Sequence, residues 1–130
     1  MKNLIAIISG EPNSINSEII SKVWKNLNKN LKKKIFVIGN FLLLENQLKK
    51  INSPIKIKKI NTFKELSLKG PSNLLKILNI KLKFKNSFNV DLKENSQYVL
   101  KSINLANDLA NKNKIRGFIN CSIDKKNVFK

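Results

Sequence analysis

Short apolar runs alternate with longer amphipathic stretches along the first third of the chain. Residues 4–8 and 35–38 are continuous apolar runs rich in β-branched side chains, which is typical of strands buried on both faces of a sheet. Between them, residues 17–27 repeat apolar side chains every three or four positions, which predicts a helix with Ser17 as its N-cap. Its predicted buried face comprises Ile19, Ile20, Val23, Trp24 and Leu27. This order predicts a β-α-β unit.

The next stretch predicts a short helix and a strand. Asn40 is expected to cap a helix over Phe41–Lys50, and Pro54 prevents its continuation. Isoleucines within residues 55–60 predict a strand whose intervening lysines face water. Residues 61–72 are expected to form a loop, because they include Gly-Pro-Ser.

The last third of the chain predicts a long helix between strands. Residues 74–84 alternate apolar side chains with lysine, which favours one or two strands. Residues 94–112 have a broad apolar face and predict a helix, and residues 115–123 predict a final strand. We therefore expect one α/β unit over residues 1–130, with a parallel or mixed sheet and flanking helices. Because no helix follows the last strand to cover it, we expect this unit to be incomplete.

Composition limits the classes of protein that fit this pattern. The chain has 130 residues, of which 42% are hydrophobic and 26% charged, so it is expected to fold as one domain or part of one. No apolar run approaches bilayer length, no secretory signal is evident, and the lone Cys121 cannot form an internal disulfide. These features predict a cytoplasmic protein that does not bind membranes.

The net charge of +18 raises the question of a polyanionic partner. Arg116 is the only arginine among the 26 basic residues, whereas base and phosphate recognition favours the planar fork of arginine. Lysine, asparagine and isoleucine are over-used together, as an AT-rich coding sequence would produce. We favour compositional drift and expect no specific nucleic acid partner, with polyanion binding as the alternative.

Few residues offer catalytic chemistry. Histidine is absent, which removes the usual general base and the commonest metal ligand. Cys121 therefore lacks an activating histidine, and its favoured interpretation is a small buried apolar residue. No glycine-rich phosphate loop follows the first strand. We assign no catalytic residue and no metal ligand in this chain.

Two polar loops are candidate sites because each follows a predicted strand, where α/β proteins build sites. Residues 10–18 lead into a helix whose free N–H groups could meet an anion, although an ordinary strand-to-helix turn is the favoured explanation. In residues 120–125, Lys125 could reach a phosphate, although a solvated lysine is the simpler alternative. Asn120 and Lys125 are the candidate substrate contacts.

These loops carry a family resemblance. Residues 10–18 resemble the Gly-Glu-Pro-Ala-Gly-Ile-Gly-Pro-Glu stretch of 4-hydroxythreonine-4-phosphate dehydrogenases. The matching residues are Gly10, Glu11, Pro12, Ile15 and Glu18. Residues 94–99 resemble the family's Glu-Asn-Gly-His-Tyr-Val helix start, and residues 118–125 resemble its strand followed by Thr-Gly-Pro, two variable residues and lysine. Lys125 keeps that lysine, whereas Asn120, Cys121 and Ser122 replace Thr-Gly-Pro.

The resemblance implies an NAD-dependent dehydrogenase of pyridoxal phosphate (vitamin B6) synthesis, which oxidises a phosphorylated hydroxy amino acid. It implies a homodimer with a fold similar to the isocitrate and isopropylmalate dehydrogenases, and a divalent metal (zinc, magnesium or cobalt) held by histidines. Those histidines lie beyond the point matching Lys130, so this chain is expected to be an amino-terminal fragment of a two-domain enzyme, inactive alone. The alternatives are a non-catalytic lysine-rich protein that binds polyanions and a diverged, inactive relative.

Overall fold

The computed structural model describes residues 3–67 and 73–121. Its strands are β1 (Ile5–Ile8), β2 (Ile35–Gly39), β3 (Lys56–Ile60), β4 (Leu74–Asn79) and β5 (Gly117–Asn120). Its helices are α1 (Asn16–Asn26), α2 (Lys29–Lys32), α3 (Phe41–Lys50) and α4 (Leu92–Asn111), with a 3-10 turn over Phe63–Ser67. Among these described residues, no helix has the length and apolar content needed to cross a bilayer.

The five strands form one sheet in the order β3-β4-β2-β1-β5, and every neighbouring pair is parallel. The predicted α/β class is confirmed, and the sheet is parallel rather than mixed. Ile7 of β1 pairs with Val37 of β2 and with Ile119 of β5. The first strand therefore lies inside the sheet, which explains its continuous apolar sequence.

Two apolar layers cover opposite faces of the sheet. Ile20 and Trp24 of α1 pack with Val37 and Leu44 on one face. On the other face, Ala106 of α4 joins a cluster formed by alternate strand residues. Helix α3, which follows β2, therefore lies on one face of the sheet. Helix α4, which follows β4, lies on the other face, although β2 and β4 are neighbours. Such a switch opens a crevice at the carboxyl ends of the strands.

Asparagine residues define several helix ends. The side chain of Asn40 accepts a hydrogen bond from Leu43 N at 2.9 Å, which confirms the predicted N-cap. Asn52 and Asn113 have positive φ angles of 55° and 57°, and the N–H that follows each of them bonds back to the last turn of its helix. Both helices thus end by the left-handed motif in which asparagine commonly replaces glycine.

The predicted start and buried face of the first helix are partly wrong. The helix starts at Asn16, so Ser17 lies in its first turn rather than at the cap. Ser14 Oγ accepts a hydrogen bond from Asn16 N at 3.1 Å and so provides the polar partner expected of Ser17. Ile19 and Val23 are each 43% exposed. The buried face is instead formed by Asn16, Ser17, Ile20, Ser21 and Trp24.

Other predicted bounds change in the structure. Only Leu74–Asn79 of the predicted 74–84 region is a strand, and residues 80–91 form an irregular connection before α4. The final strand covers Gly117–Asn120, and the end of the predicted 115–123 strand lies outside the described residues. The edge strand β3 carries exposed lysines as predicted, a common protection against pairing with another sheet.

Candidate functional site

The candidate site lies at the carboxyl edge, by which we mean the loops that follow β1, β2 and β4 together with the first two turns of α4. Parallel strands bring these loops to one side of the sheet, where α/β proteins bind ligands. Tyr98 of α4 is the central side chain of this edge. Its hydroxyl lies 2.7 Å from Ser9 Oγ and accepts a hydrogen bond from Asn40 N at 2.8 Å. It thereby joins the ends of β1 and β2 to α4.

Burial determines what the Tyr98 hydroxyl can do. The side chain is 2% exposed, and desolvation raises the pKa of Tyr98 to about 12 despite its hydrogen bonds with Ser9 and Asn40. Burial disfavours the charged phenolate because the interior solvates it poorly. The hydroxyl is therefore protonated at neutral pH and acts as a fixed hydrogen-bonding group rather than as a general base.

The lack of a side chain at Gly39 leaves room for the Tyr98 hydroxyl. A Cβ at residue 39 would lie 2.6 Å from Ser9 Oγ and 2.9 Å from Tyr98 Oη, both closer than van der Waals contact allows. The glycine that ends β2 is thus required by the close approach of two side chains. The sequence predicted only that the strand ends there.

A carboxylate joins the first loop to α4. The carboxylate of Glu11 accepts hydrogen bonds from Asn95 Nδ2 and, at 3.2 Å, from Asn13 N. Glu11 Oε2 and Asn95 Oδ1 are both buried and have no hydrogen-bond partner within the described residues. Two of the three stretches that carry the family resemblance, residues 10–18 and 94–99, therefore contact each other through these two side chains.

Amide side chains hold the irregular 80–91 connection against the first loop. Asn13 Nδ2 donates to Val90 O at 3.0 Å, and Val90 N donates to Asn13 Oδ1 at 2.7 Å. The buried Gln47 donates to Pro12 O at 2.8 Å and to Ser87 O at 2.6 Å. These bonds satisfy buried polar groups that the irregular backbone would otherwise leave unpaired.

A cleft of about 420 Å³ opens beside the first turn of α4. It is lined by Lys83, Phe84, Lys85, Asn89, Asp91 and Glu94. Its volume falls in the range of small-molecule sites, and charges of both signs surround one aromatic ring.

The sequence-predicted site residues are only partly within the described structure. Asn120 ends β5, pairs in register with Ile8 and is exposed, so it lies at the carboxyl edge as predicted. It takes no part in the hydrogen bonds that join Glu11, Tyr98 and their partners among the described residues. Lys125 and Ser122 lie outside the described residues.

Cys121 has the environment of a structural residue. Its side chain is partly buried against the apolar cluster that contains Trp24 and Val37. Desolvation raises the pKa of the Cys121 thiol above its ordinary value, so little of the reactive thiolate is present at neutral pH. This environment agrees with the interpretation of Cys121 as a small apolar residue.

The described residues do not fit a divalent transition metal. Residues 3–67 and 73–121 contain no group of three or more histidine, cysteine or carboxylate side chains that could hold an ion. Zinc in proteins takes nitrogen, sulfur and carboxylate ligands, usually three or four from the protein. The metal implied by the resemblance would therefore need ligands from residues outside these ranges.

Several residues of this edge were not predicted as site residues. Tyr98 lies within the helix predicted over residues 94–112, Asn40 was predicted only as a helix cap, and Gln47 was given no role. A polar residue directly after a buried strand, as in Gly39-Asn40, is the signal that could have identified one of them. The others require knowledge of which strands are neighbours.

Comparison with known proteins gives the fold independently. No protein-family model matches the sequence, and no curated protein matches it. A 4-hydroxythreonine-4-phosphate dehydrogenase from Burkholderia phymatum superposes with a TM-score of 0.82 at 17% identity, over 98% of this chain and 38% of that one. The Klebsiella pneumoniae enzyme of the same name gives 0.77 at 16% identity, over 98% and 39%. The chain thus has the fold of a part of these proteins and spans about 40% of their length.

Proposed function

We propose that this chain is the amino-terminal α/β unit of a dehydrogenase that oxidises a phosphorylated hydroxy amino acid, of the 4-hydroxythreonine 4-phosphate type. The observation that carries the proposal is the hydrogen bond between Glu11 and Asn95. Glu11 and Asn95 belong to two of the three stretches of the family resemblance and lie 84 positions apart, yet they meet at the carboxyl edge. If the resemblance were due to chance, these two stretches would not be expected to meet at one site in a fold that superposes on a 4-hydroxythreonine-4-phosphate dehydrogenase.

In this proposal, the chain contributes positioning and substrate contacts. Tyr98 and Asn40 fix the ends of β1 and β2, and Glu11 fixes the first loop against α4. Asn120 and Lys125 are the proposed substrate contacts, with the ammonium group of Lys125 binding the phosphate as a point charge. We assign catalytic residues and metal ligands to polypeptide outside this chain.

The cofactors and the assembly are also part of the proposal. NAD would accept the hydride, and a divalent metal held by the rest of the enzyme would polarise the alcohol oxygen when bound. We propose that the complete enzyme is a cytoplasmic homodimer of two-domain subunits. Support comes from the resemblance and from the 38–39% coverage of the solved neighbours.

Turnover tests the proposal. NADH formation is followed with 4-hydroxythreonine 4-phosphate, NAD and zinc or magnesium for the 130-residue chain and for the polypeptide encoded by its complete reading frame. We expect turnover by the complete polypeptide only, because site geometry must be held to within about an ångström. Turnover by the 130-residue chain, or a reading frame that stops at Lys130, would contradict the proposal.

A matched pair of variants tests the site assignment separately. In the active polypeptide, Lys125→Ala is expected to raise KM by about ten- to a hundredfold, the equivalent of a lost charge-assisted hydrogen bond. The neighbouring Lys126→Ala should change it less than about threefold. An active enzyme that is indifferent to Lys125→Ala would retain the function and remove the assignment.

A further inference from the structure

The edge of the sheet where the strands begin has a concentration of positive charge. We call it the amino-edge surface and define it by Lys29, Lys32, Lys33, Lys34, Lys56 and Arg116. Four of these residues lie within six positions, between α1 and β2. Side chains of five of them are exposed, and Lys32 is partly buried. This surface lies on the side of the sheet opposite the candidate site.

Backbone contacts fix the positions of these residues. Asn28 caps α2 by accepting a hydrogen bond from Leu31 N at 2.9 Å, and Lys34 O accepts one from Ile5 N at 2.7 Å. Lys32 Nζ lies 5.1 Å from the centroid of the Trp24 ring, which is within cation–π range. The four lysines are therefore carried on a short ordered segment.

The surface extends across the whole sheet. Arg116 N donates to Leu4 O at 2.8 Å, so Arg116 and Lys34 flank the start of β1. Lys56 begins β3 at the far edge of the strand order. Four strand spacings separate β3 from β5, or about 19 Å. Lys32 and Lys56 also line one groove beside Trp24.

Ion pairs among the described residues do not neutralise this surface, although Glu45 and Lys56 line one groove. The two ion pairs of the described residues, Glu18 with Lys22 and Asp108 with Lys112, include none of its members. Most acidic residues lie toward the opposite edge, in the loops after the strands and in the first turns of α1 and α4. These are Glu11, Glu18, Glu65, Asp91 and Glu94. Acidic residues at the carboxyl edge therefore offset lysines there, such as Lys83 and Lys85, whereas most of the positive charge of the amino-edge surface is not offset.

We propose that the amino-edge surface binds the phosphate backbone of nucleic acid without sequence preference. Duplex DNA has about one negative charge per 1.7 Å of its axis, and lysines that neutralise phosphates release counterions. Lysine ammonium groups are point charges that do not read base edges as the arginine fork does. Leu31, 43% exposed, is the one large apolar side chain exposed among these lysines, whereas membrane-surface helices present several apolar residues. This inference does not depend on the proposed function.

Two matched variants of the purified chain test the proposal. The first replaces Lys29, Lys33, Lys34 and Arg116 with glutamine. The second replaces Lys81, Lys83, Lys85 and Lys93, also with glutamine. These four lysines are exposed and lie in or beside the connection that follows β4. Each removes four of the 26 basic residues, so both have the same net charge. Circular dichroism checks that both variants fold.

Binding is measured by fluorescence anisotropy with a random-sequence duplex of about two turns over a series of salt concentrations. The amino-edge variant should bind at least about tenfold more weakly than the original chain, and its slope of log affinity against log salt should be shallower by about three to four. The control variant should lose less than about threefold. No preference above about a hundredfold is expected for any specific duplex, because such ratios characterise sequence readers.

Several results would overturn the proposal. Equal losses in the two variants would show that total charge, and not this surface, determines binding. Absence of saturable binding by the original chain at low salt would remove the activity itself. Tighter binding to phosphatidylserine vesicles than to the duplex, lost in the same variant, would identify the surface as a membrane site instead.

Discussion

The two edges of the sheet are stabilised by different interactions. At the carboxyl edge, Tyr98, Asn40 and Glu11 are connected by hydrogen bonds between elements that are far apart in sequence. At the amino edge, the lysines are exposed and the underlying support is apolar, with Trp24 buried to 3% exposure beneath Lys32. One edge depends on hydrogen bonds between buried polar groups, and the other on buried apolar area beneath exposed charge.

This difference indicates how each edge tolerates substitution. When the partner of a buried polar group is removed, the free energy of unfolding of the protein falls. The group is then left with neither a hydrogen-bond partner nor solvent. An exposed lysine keeps its water and can be replaced at little cost. We therefore expect stability to respond to single atoms at the carboxyl edge and to whole side chains of the core at the amino edge.

The largest expected effect is at Trp24. Trp24→Ala should lower the free energy of unfolding by about 3–5 kcal/mol, because it removes a buried aromatic side chain and leaves a cavity. Urea unfolding followed by circular dichroism measures this. Ile19→Ala on the same helix is the control and should cost less than about 1 kcal/mol, since Ile19 is 43% exposed. Equal costs would show that the observed helix face is wrong.

Tyr98→Phe is expected to have the next largest effect, about 1–3 kcal/mol of unfolding free energy. It removes one oxygen and leaves the Asn40 N–H and the Ser9 hydroxyl without their shared partner. Gln97→Ala, at the exposed position next to Tyr98 in the same helix, should change stability by less than about 0.5 kcal/mol. If both variants melt alike, the hydrogen bonds at Tyr98 do not stabilise this edge.

The pH dependence of stability tests the same hydroxyl. Tyr98 has a pKa of about 12 in the folded chain against an ordinary value of 10.0, so the unfolded chain loses this proton first as pH rises. Stability from this group is complete below pH 10 and declines between the two pKa values by up to about 1.4 kcal/mol per pH unit. The difference between the original chain and Tyr98→Phe should shrink over this window. A constant difference would contradict the raised pKa.

The smallest expected effect is at the amino-edge surface. Replacing Lys29, Lys33, Lys34 and Arg116 together with glutamine should change the unfolding free energy by no more than about 0.5 kcal/mol per site, because all four are exposed. Relief of mutual repulsion at low salt offsets part of any loss. Thermal melts at low and high salt measure the loss of stability and the relief of repulsion. A large destabilisation would mean that these side chains support the fold as Tyr98 does.

The physical origin of each predicted element explains which predictions are confirmed. The strands β1 and β2 were predicted because burial on both faces requires continuous apolar runs, a local signal. Helix α3 was predicted with its correct bounds because its asparagine cap is also local. The buried face of α1 was partly wrong, since Ile19 and Ile20 are equally apolar and only neighbouring elements select between them. Ser21 is buried instead, and its Oγ lies 2.5 Å from Ser53 Oγ.

The sequence by itself determined the α/β class, most elements and the three stretches that resemble a dehydrogenase family. Local propensity, helix capping and hydrophobic periodicity depend on residues that are close in sequence, so they can be recognised without tertiary information. Only the tertiary structure decided that β4 lies between β3 and β2, that Glu11 meets Asn95, and that basic residues from distant parts of the chain share the amino edge. These features depend on contacts between residues distant in sequence, which the packing of the whole sheet selects and local pattern does not specify.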